Sequence, residues 1–144
     1  MLAGGVAAAI VAAVVMASPL VRPPCTLLSG DGTLVIPGSS LARGAVRFFC
    51  YRGPAGERLR FLLARDSGGE VHAVFDACRQ CYKFHKGYTV SGGYLICRLC
   101  GNRYALREMQ VGKASCVPVK LPLAQRGGMI EVKATDVRSG RSLF

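Results

Sequence analysis

The stretch "DACRQCYKFHKGYTVSGGYLICRLCGNRY", residues 76–104, decides how this chain is read. It holds two Cys-x-x-Cys pairs, Cys78/Cys81 and Cys97/Cys100, with fifteen residues between them. In such a turn the backbone curls around the sulfurs, so both thiolates converge on one atom. Two of these knuckles on two hairpins build a tetrahedral site of four sulfurs, and the spacing lies within the zinc-site pattern. Four thiolates are also what a [2Fe–2S] cluster needs. Disulfides within each pair are the remaining alternative. The spacing speaks strongly for a metal centre and weakly for which metal.

The surrounding charges lean toward iron. Arg79 and Arg98 lie inside the knuckles, and Lys83, Lys86, Arg103 and Arg107 are close in sequence. Four thiolates around zinc or an oxidised cluster carry net negative charge, which nearby cations offset; for a cluster they also raise the potential. A [2Fe–2S] cluster is therefore favoured, with Zn2+ as the alternative. Two further residues are candidate additional ligands. His85 follows Cys81 by four residues; its other reading is a surface histidine between Lys83 and Lys86. Cys116 precedes Pro118, and its other reading is a small buried residue. Asp76 is either an acceptor of N–H bonds behind the first knuckle or an exposed turn carboxylate. His72 and Cys50 read as structural. Cys25 is either free or paired.

Outward from the knuckles the chain reads as strands and turns. "TLVIP" (33–37) is short, and "AVRFFCYR" (45–52) alternates, with Val46, Phe48 and Cys50 on one face. "GPAG" turns into "ERLRFLLAR" (57–65), and "DSGG" turns into "EVHAVFDA" (70–77). "GYTV" and "YLIC" make a hairpin around Gly92-Gly93. "NRYALRE" (102–108), "CVPVKLP" (116–122) and "MIEVKATDV" (129–137) complete the set. The fold class is all-β, a small sandwich or open barrel with two Cys-knuckle hairpins.

Residues 1–21 carry no charged side chain and are mostly Ala, Val, Ile, Leu, Met and Gly, about the length of one transmembrane helix. Arg22-Pro23-Pro24 ends the run. An uncleaved or cleaved signal segment is the rival reading, although no Lys or Arg precedes the apolar residues. The organisation expected is an anchor at 1–21, a linker with a first short strand at 22–44, and a four-cysteine β domain at 45–144. Nineteen Lys and Arg against eight Asp and Glu give a net charge of +11, which calls for an anionic neighbour. Membrane lipid and an acidic redox partner such as a cytochrome both suit it. Nucleic acid is the least supported, because the basic residues are spread along the chain. No Ser/His/Asp set, phosphate loop or carboxylate pair points to a hydrolase or an NTP-binding enzyme.

The order of parts from 71 to 132 resembles a Rieske-type domain: strand, ligand loop, hairpin, second ligand loop, proline loop, last strand. Rieske domains use Cys-x-His and Cys-x2-His, so Cys81 and Cys100 would stand where histidines do, and an all-thiolate cluster has a much lower potential. The chain is also similar to the FtrD-like family of membrane iron–sulfur proteins. The match lies at "VRFFCYR", "FDACRQC", "KGY", "ICRLCGNRY" and "CVPV". This resemblance implies a single-pass protein of the cytoplasmic membrane, its soluble domain on the outer side. It also implies an electron carrier rather than a stand-alone enzyme, working beside other membrane-protein subunits of an iron-transport or respiratory-type complex. Arg79, Arg98, Lys83 and Lys86 would form the docking face. A structural zinc-ribbon-like accessory subunit and a metal-delivery protein are the other functions the residues allow.

Overall fold

The structure, a computed structural model, describes residues 22–109 and 117–144. Its centre is set by alternation along β3 (Val46–Arg52), β4 (Arg58–Arg65) and β5 (Val71–Cys78). Successive side chains of a strand point to opposite faces. Phe49, Tyr51, Phe61, Leu63, Ala73 and Phe75 thus share one face of the sheet, and Phe48, Leu62, Val74 and Cys78 share the other. Every residue of β5 is buried, because both faces are covered.

Five strands form this sheet, in the order β1-β3-β4-β5-β9, where β1 is Cys25–Ser29 and β9 is Pro118–Lys120. β1 runs parallel to β3, and the remaining pairs are antiparallel. A three-stranded sheet of β2 (Thr33–Pro37), β10 (Ala124–Arg126) and β11 (Met129–Lys133) covers the first face, packing Ile36, Ile130 and Val132 against Phe61 and Phe75. A second three-stranded sheet covers the other face: β6 (Tyr88–Ser91), β7 (Tyr94–Cys97) and β8 (Arg103–Ala105). It contributes Tyr88, Leu95, Cys97 and Tyr104. Phe61, Leu62, Leu63 and Val74 are fully enclosed, each stabilising the fold by roughly 1.5–3 kcal/mol. The pairing of β5 with β9 slips between Val74 and Cys78, an irregularity at the end of β5 that leads into the first knuckle.

The all-β expectation holds, with differences at its edges. The "RPPCTLLSGDG" segment, read as linker, contains β1, hydrogen-bonded along β3 from Cys25↔Phe48 to Ser29↔Arg52. Its sequence does not alternate because neither face of this strand is fully covered. β10 is three residues of Ala, Gln and Arg, without an apolar period. "MIEVKATDV" is a strand only to Lys133; it then turns into α1 (Ala134–Ser139), whose Ala134 and Val137 face the core three residues apart. "NRYALRE" is a strand over Arg103–Ala105 and a 3-10 turn over Leu106–Glu108. The apolar run at 1–21 and Cys116 lie outside the described residues. Among the described residues no helix is long and apolar enough to cross a membrane.

Candidate metal centre

The last residue of β5 and the last residue of β7 are both cysteines, and both strands aim inward. Cys78 and Cys97 are therefore buried, on the face between the large sheet and the β6-β7-β8 sheet. Past each one the chain makes a tight knuckle. In the first, the N–H of Cys81 donates to Cys78 Sγ at 3.0 Å. In the second, the N–H groups of Leu99 and Cys100 donate to the Cys97 sulfur. Bonds of this kind favour the thiolate, the form that ligates metal. The sulfurs of Cys78, Cys81 and Cys97 all lie within 4.8 Å of one another. Cys100 is exposed, and its thiol meets Cys97 within the second knuckle.

Burial pushes the Cys97 thiol up, opposed by the backbone donors of Cys100 and Leu99 and reinforced by the Cys100 thiol and the negative field of Cys78. Thiolates held this close without a cation repel one another, so the donor set fits a metal ion or cluster. Tyr88 adds a second sign of the same kind. Its hydroxyl is buried without a hydrogen-bond partner among the described residues, and burial followed by the sulfurs of Cys78 and Cys97 pushes its phenol up.

Behind the first knuckle lies Asp76, whose side chain is buried, so the exposed-turn reading is corrected. It faces inward because it alternates with Val74 and Cys78. Its Oδ1 accepts from the Tyr88 N–H at 2.7 Å and its Oδ2 from Arg60 Nε at 2.9 Å. Burial pushes its carboxyl up, and the Tyr88 N–H and Arg60 oppose that shift. Gly87, at φ +65°, leaves room for it: a Cβ there would stand 2.5 Å from Asp76 Oδ1. Arg60 also donates from Nη1 to the sulfurs of Cys25 and Cys50, each at 3.3 Å, and from Nη2 to the Pro23 carbonyl at 2.9 Å. Cys25 and Cys50 form a disulfide, which resolves the open reading of Cys25 and makes the half-buried Cys50 a cross-link.

The other predicted residues divide. Arg98 is half-buried; its Nη1 donates to the Lys86 carbonyl at 2.9 Å and its N–H to the Gly87 carbonyl at 3.0 Å, tying the second knuckle to the first loop. Arg79 has an exposed side chain, and its N–H reaches the Val117 carbonyl at 3.3 Å. Lys83 and Lys86 are exposed. His85 is exposed in a left-handed conformation (φ 51°), and its carbonyl accepts from Arg22. It lines the small cavity beside Cys78, Cys81 and Cys97 without joining the three close sulfurs. His72 is structural, its Nε2 2.9 Å from Asp66 Oδ2. Sequence reasoning passed over Arg60 and Tyr88. The signal for Arg60 was present: it shares a strand face with Leu62 and Ala64, and a charge on an apolar face needs a buried partner.

The chain matches the family described as "Membrane iron-sulfur containing protein FtrD-like" over residues 41–144, and it belongs to that family. Three solved structures are similar to it. One is a chain of the complex of reduced oxygenase and oxidized ferredoxin in carbazole 1,9a-dioxygenase, at 16% identity over 72% of this chain and 94% of that one, with a TM-score of 0.48. The quaternary ammonium Rieske monooxygenase CntA gives 14% identity over 72% and 31%, with a TM-score of 0.49. The ferredoxin of carbazole 1,9a-dioxygenase from Nocardioides aromaticivorans IC177 gives 19% identity over 69% and 93%, with a TM-score of 0.44. No curated protein sequence matches.

Proposed function

We propose that this chain is an electron carrier of the cytoplasmic membrane, in which Cys78, Cys81, Cys97 and Cys100 hold a [2Fe–2S] cluster. The convergence of sulfurs from two knuckles, in a chain of a membrane iron–sulfur family, carries the reading. When bound, such a cluster takes up and returns one electron. The protein's part is to hold and tune. The knuckle N–H groups point at the sulfurs, the Tyr88 hydroxyl lies in their field, and Arg60 and Arg22 act on Asp76 behind the first knuckle. Positive groups at this position raise a thiolate cluster's potential, which makes the cluster easier to reduce.

The loops around the site also favour docking. Phe84 is 61% exposed in the first ligand loop and Leu99 is 43% exposed in the second knuckle. Exposed Arg79, Lys83 and Lys86 are their neighbours in sequence. Apolar contacts with cationic neighbours suit an acidic redox partner. The Cys25–Cys50 disulfide supports an oxidising compartment, and so a domain on the outer side of the membrane, anchored through 1–21. The partner would be another membrane-protein subunit, in an iron-transport or respiratory-type system.

One observation favours a second reading. Four sulfurs around a single ion at zinc–sulfur distance stand about 3.8 Å apart. Sulfurs on the two irons of a cluster lie farther apart than that. Three sulfurs mutually within 4.8 Å suit one ion, and hence structural Zn2+. Metal and sulfide analysis with optical and EPR spectra of anaerobically purified protein separates the two. Iron with equimolar sulfide, visible absorbance and an EPR signal on reduction is expected. Colourless protein with one zinc per chain overturns the cluster.

A further inference from the structure

On the knuckle-facing side of β3 and β4, a cavity of about 460 Å³ opens over Cys50 and Arg60, with His85 of the first ligand loop in its wall. Its volume falls within the range of small-ligand sites, roughly 300–1,000 Å³. Four guanidinium groups line it, from Arg22, Arg52, Arg58 and Arg60, and no acidic side chain does. Arg52 and Arg58 are directly opposite each other across the two strands. Like charges in that relation destabilise a sheet. Both are exposed, and among the described residues neither is in an ion pair.

The other two arginines are already positioned. Arg60 is fixed by Asp76, the Pro23 carbonyl and the disulfide sulfurs. Arg22 is fixed by the His85 carbonyl. Two held and two unpaired guanidinium groups around one cavity form a receptor for an oxyanion, because planar N–H forks match phosphate oxygens. The rim is apolar as well: Leu27, on the edge strand β1, is 63% exposed. A site with cationic floor and apolar rim suits an amphiphile.

We propose that this cavity is a phosphate site that seats the headgroup of an anionic phospholipid. Arg22 directly follows the apolar run at 1–21, so one wall of the cavity is a single residue from the segment expected to lie in the bilayer. The assignment rests on the membrane placement proposed above. It puts lipid recognition next to the first ligand loop, whose His85 forms part of the cavity wall.

The test uses the full chain in a neutral detergent, titrated with soluble dihexanoyl phosphatidylglycerol, dihexanoyl phosphatidylcholine, inorganic phosphate or tetraglutamate, with binding read by calorimetry. Phosphatidylglycerol is expected to bind best, with phosphate competing weakly. Arg52→Gln/Arg58→Gln, at two exposed positions, is expected to weaken phosphatidylglycerol binding about tenfold or more without lowering the thermal midpoint, since it also relieves the like-charge pair. Equal binding by parent and double variant overturns the site. Phosphate binding as tightly as the lipid makes it a free-phosphate site and overturns the lipid assignment, and preference for tetraglutamate overturns it in favour of an acidic protein. Flotation of the full chain with pure phosphatidylcholine vesicles tests the membrane placement separately. Failure to float overturns that placement, and the lipid assignment with it. Flotation with unchanged titrations overturns the pocket alone.

Discussion

Arg60 links the two sulfur sites of this protein: one nitrogen of its guanidinium meets Asp76, two residues before Cys78, and another meets both sulfurs of the Cys25–Cys50 disulfide. The Asp76 side chain has no exposure and that of Arg60 has 17%, so this is a buried pair. Arg60→Ala strands a buried carboxylate, and a loss of about 3–5 kcal/mol in unfolding free energy is expected. Arg60→Lys keeps the charge but not the fork, and should lose less. Denaturant titration of the three proteins checks this; an Arg60→Ala protein as stable as the parent would show that Asp76 needs no counter-ion.

Gly87 and Gly92 separate space from backbone conformation. Both have positive φ, +65° and +57°, but a Cβ at Gly87 meets Asp76 at 2.5 Å while one at Gly92 meets nothing within 4 Å. Gly92→Ala should cost only the left-handed backbone term, about 1–2 kcal/mol. Gly87→Ala should cost clearly more and also lower metal content, because it displaces the carboxylate behind Cys78. Equal costs and equal metal content for the two would remove Asp76 from any supporting role.

The disulfide bridges residues 25 apart and ties β1 to β3. Replacing both partners, Cys25→Ser/Cys50→Ser, should lower stability by about 3.5 kcal/mol by the loop-entropy relation. Metal content should be unaffected, since neither sulfur belongs to the knuckles. Loss of metal in this variant at temperatures where it stays folded would place the disulfide within the metal site's support.

Tyr88→Phe removes a buried hydroxyl with no protein partner among the described residues. Metal-free stability should change little, within about 1 kcal/mol, because no bond is lost and an unsatisfied group is removed. With the cluster loaded, the reduction potential should fall, since the variant removes an O–H dipole that the negative field of the Cys78 and Cys97 sulfurs would turn its positive end toward. Protein-film voltammetry of parent and variant reads this directly. An unchanged potential would mean that the hydroxyl does not address the cluster.

The sequence by itself determined the donor chemistry and most of the strands. Cys-x2-Cys knuckles are local, so their spacing named Cys78, Cys81, Cys97 and Cys100 before any long-range contact was known. Period-2 alternation likewise showed β3, and the turn signals bounding the apolar runs marked β4 and β5. What only the tertiary structure decided depends on pairs distant in the chain. β1 was unreadable because it buries neither face fully, so no alternation is required of it. The Cys25–Cys50 bond required the parallel register that sets those strands side by side. Arg60 was one arginine among nineteen basic residues until β4 paired with β5 and brought it to Asp76. The facing arginines at 52 and 58 became a cavity wall only when β3 paired with β4. Local geometry is written in neighbouring residues, whereas a charge finds its partner, or lacks one, only after the sheet has closed.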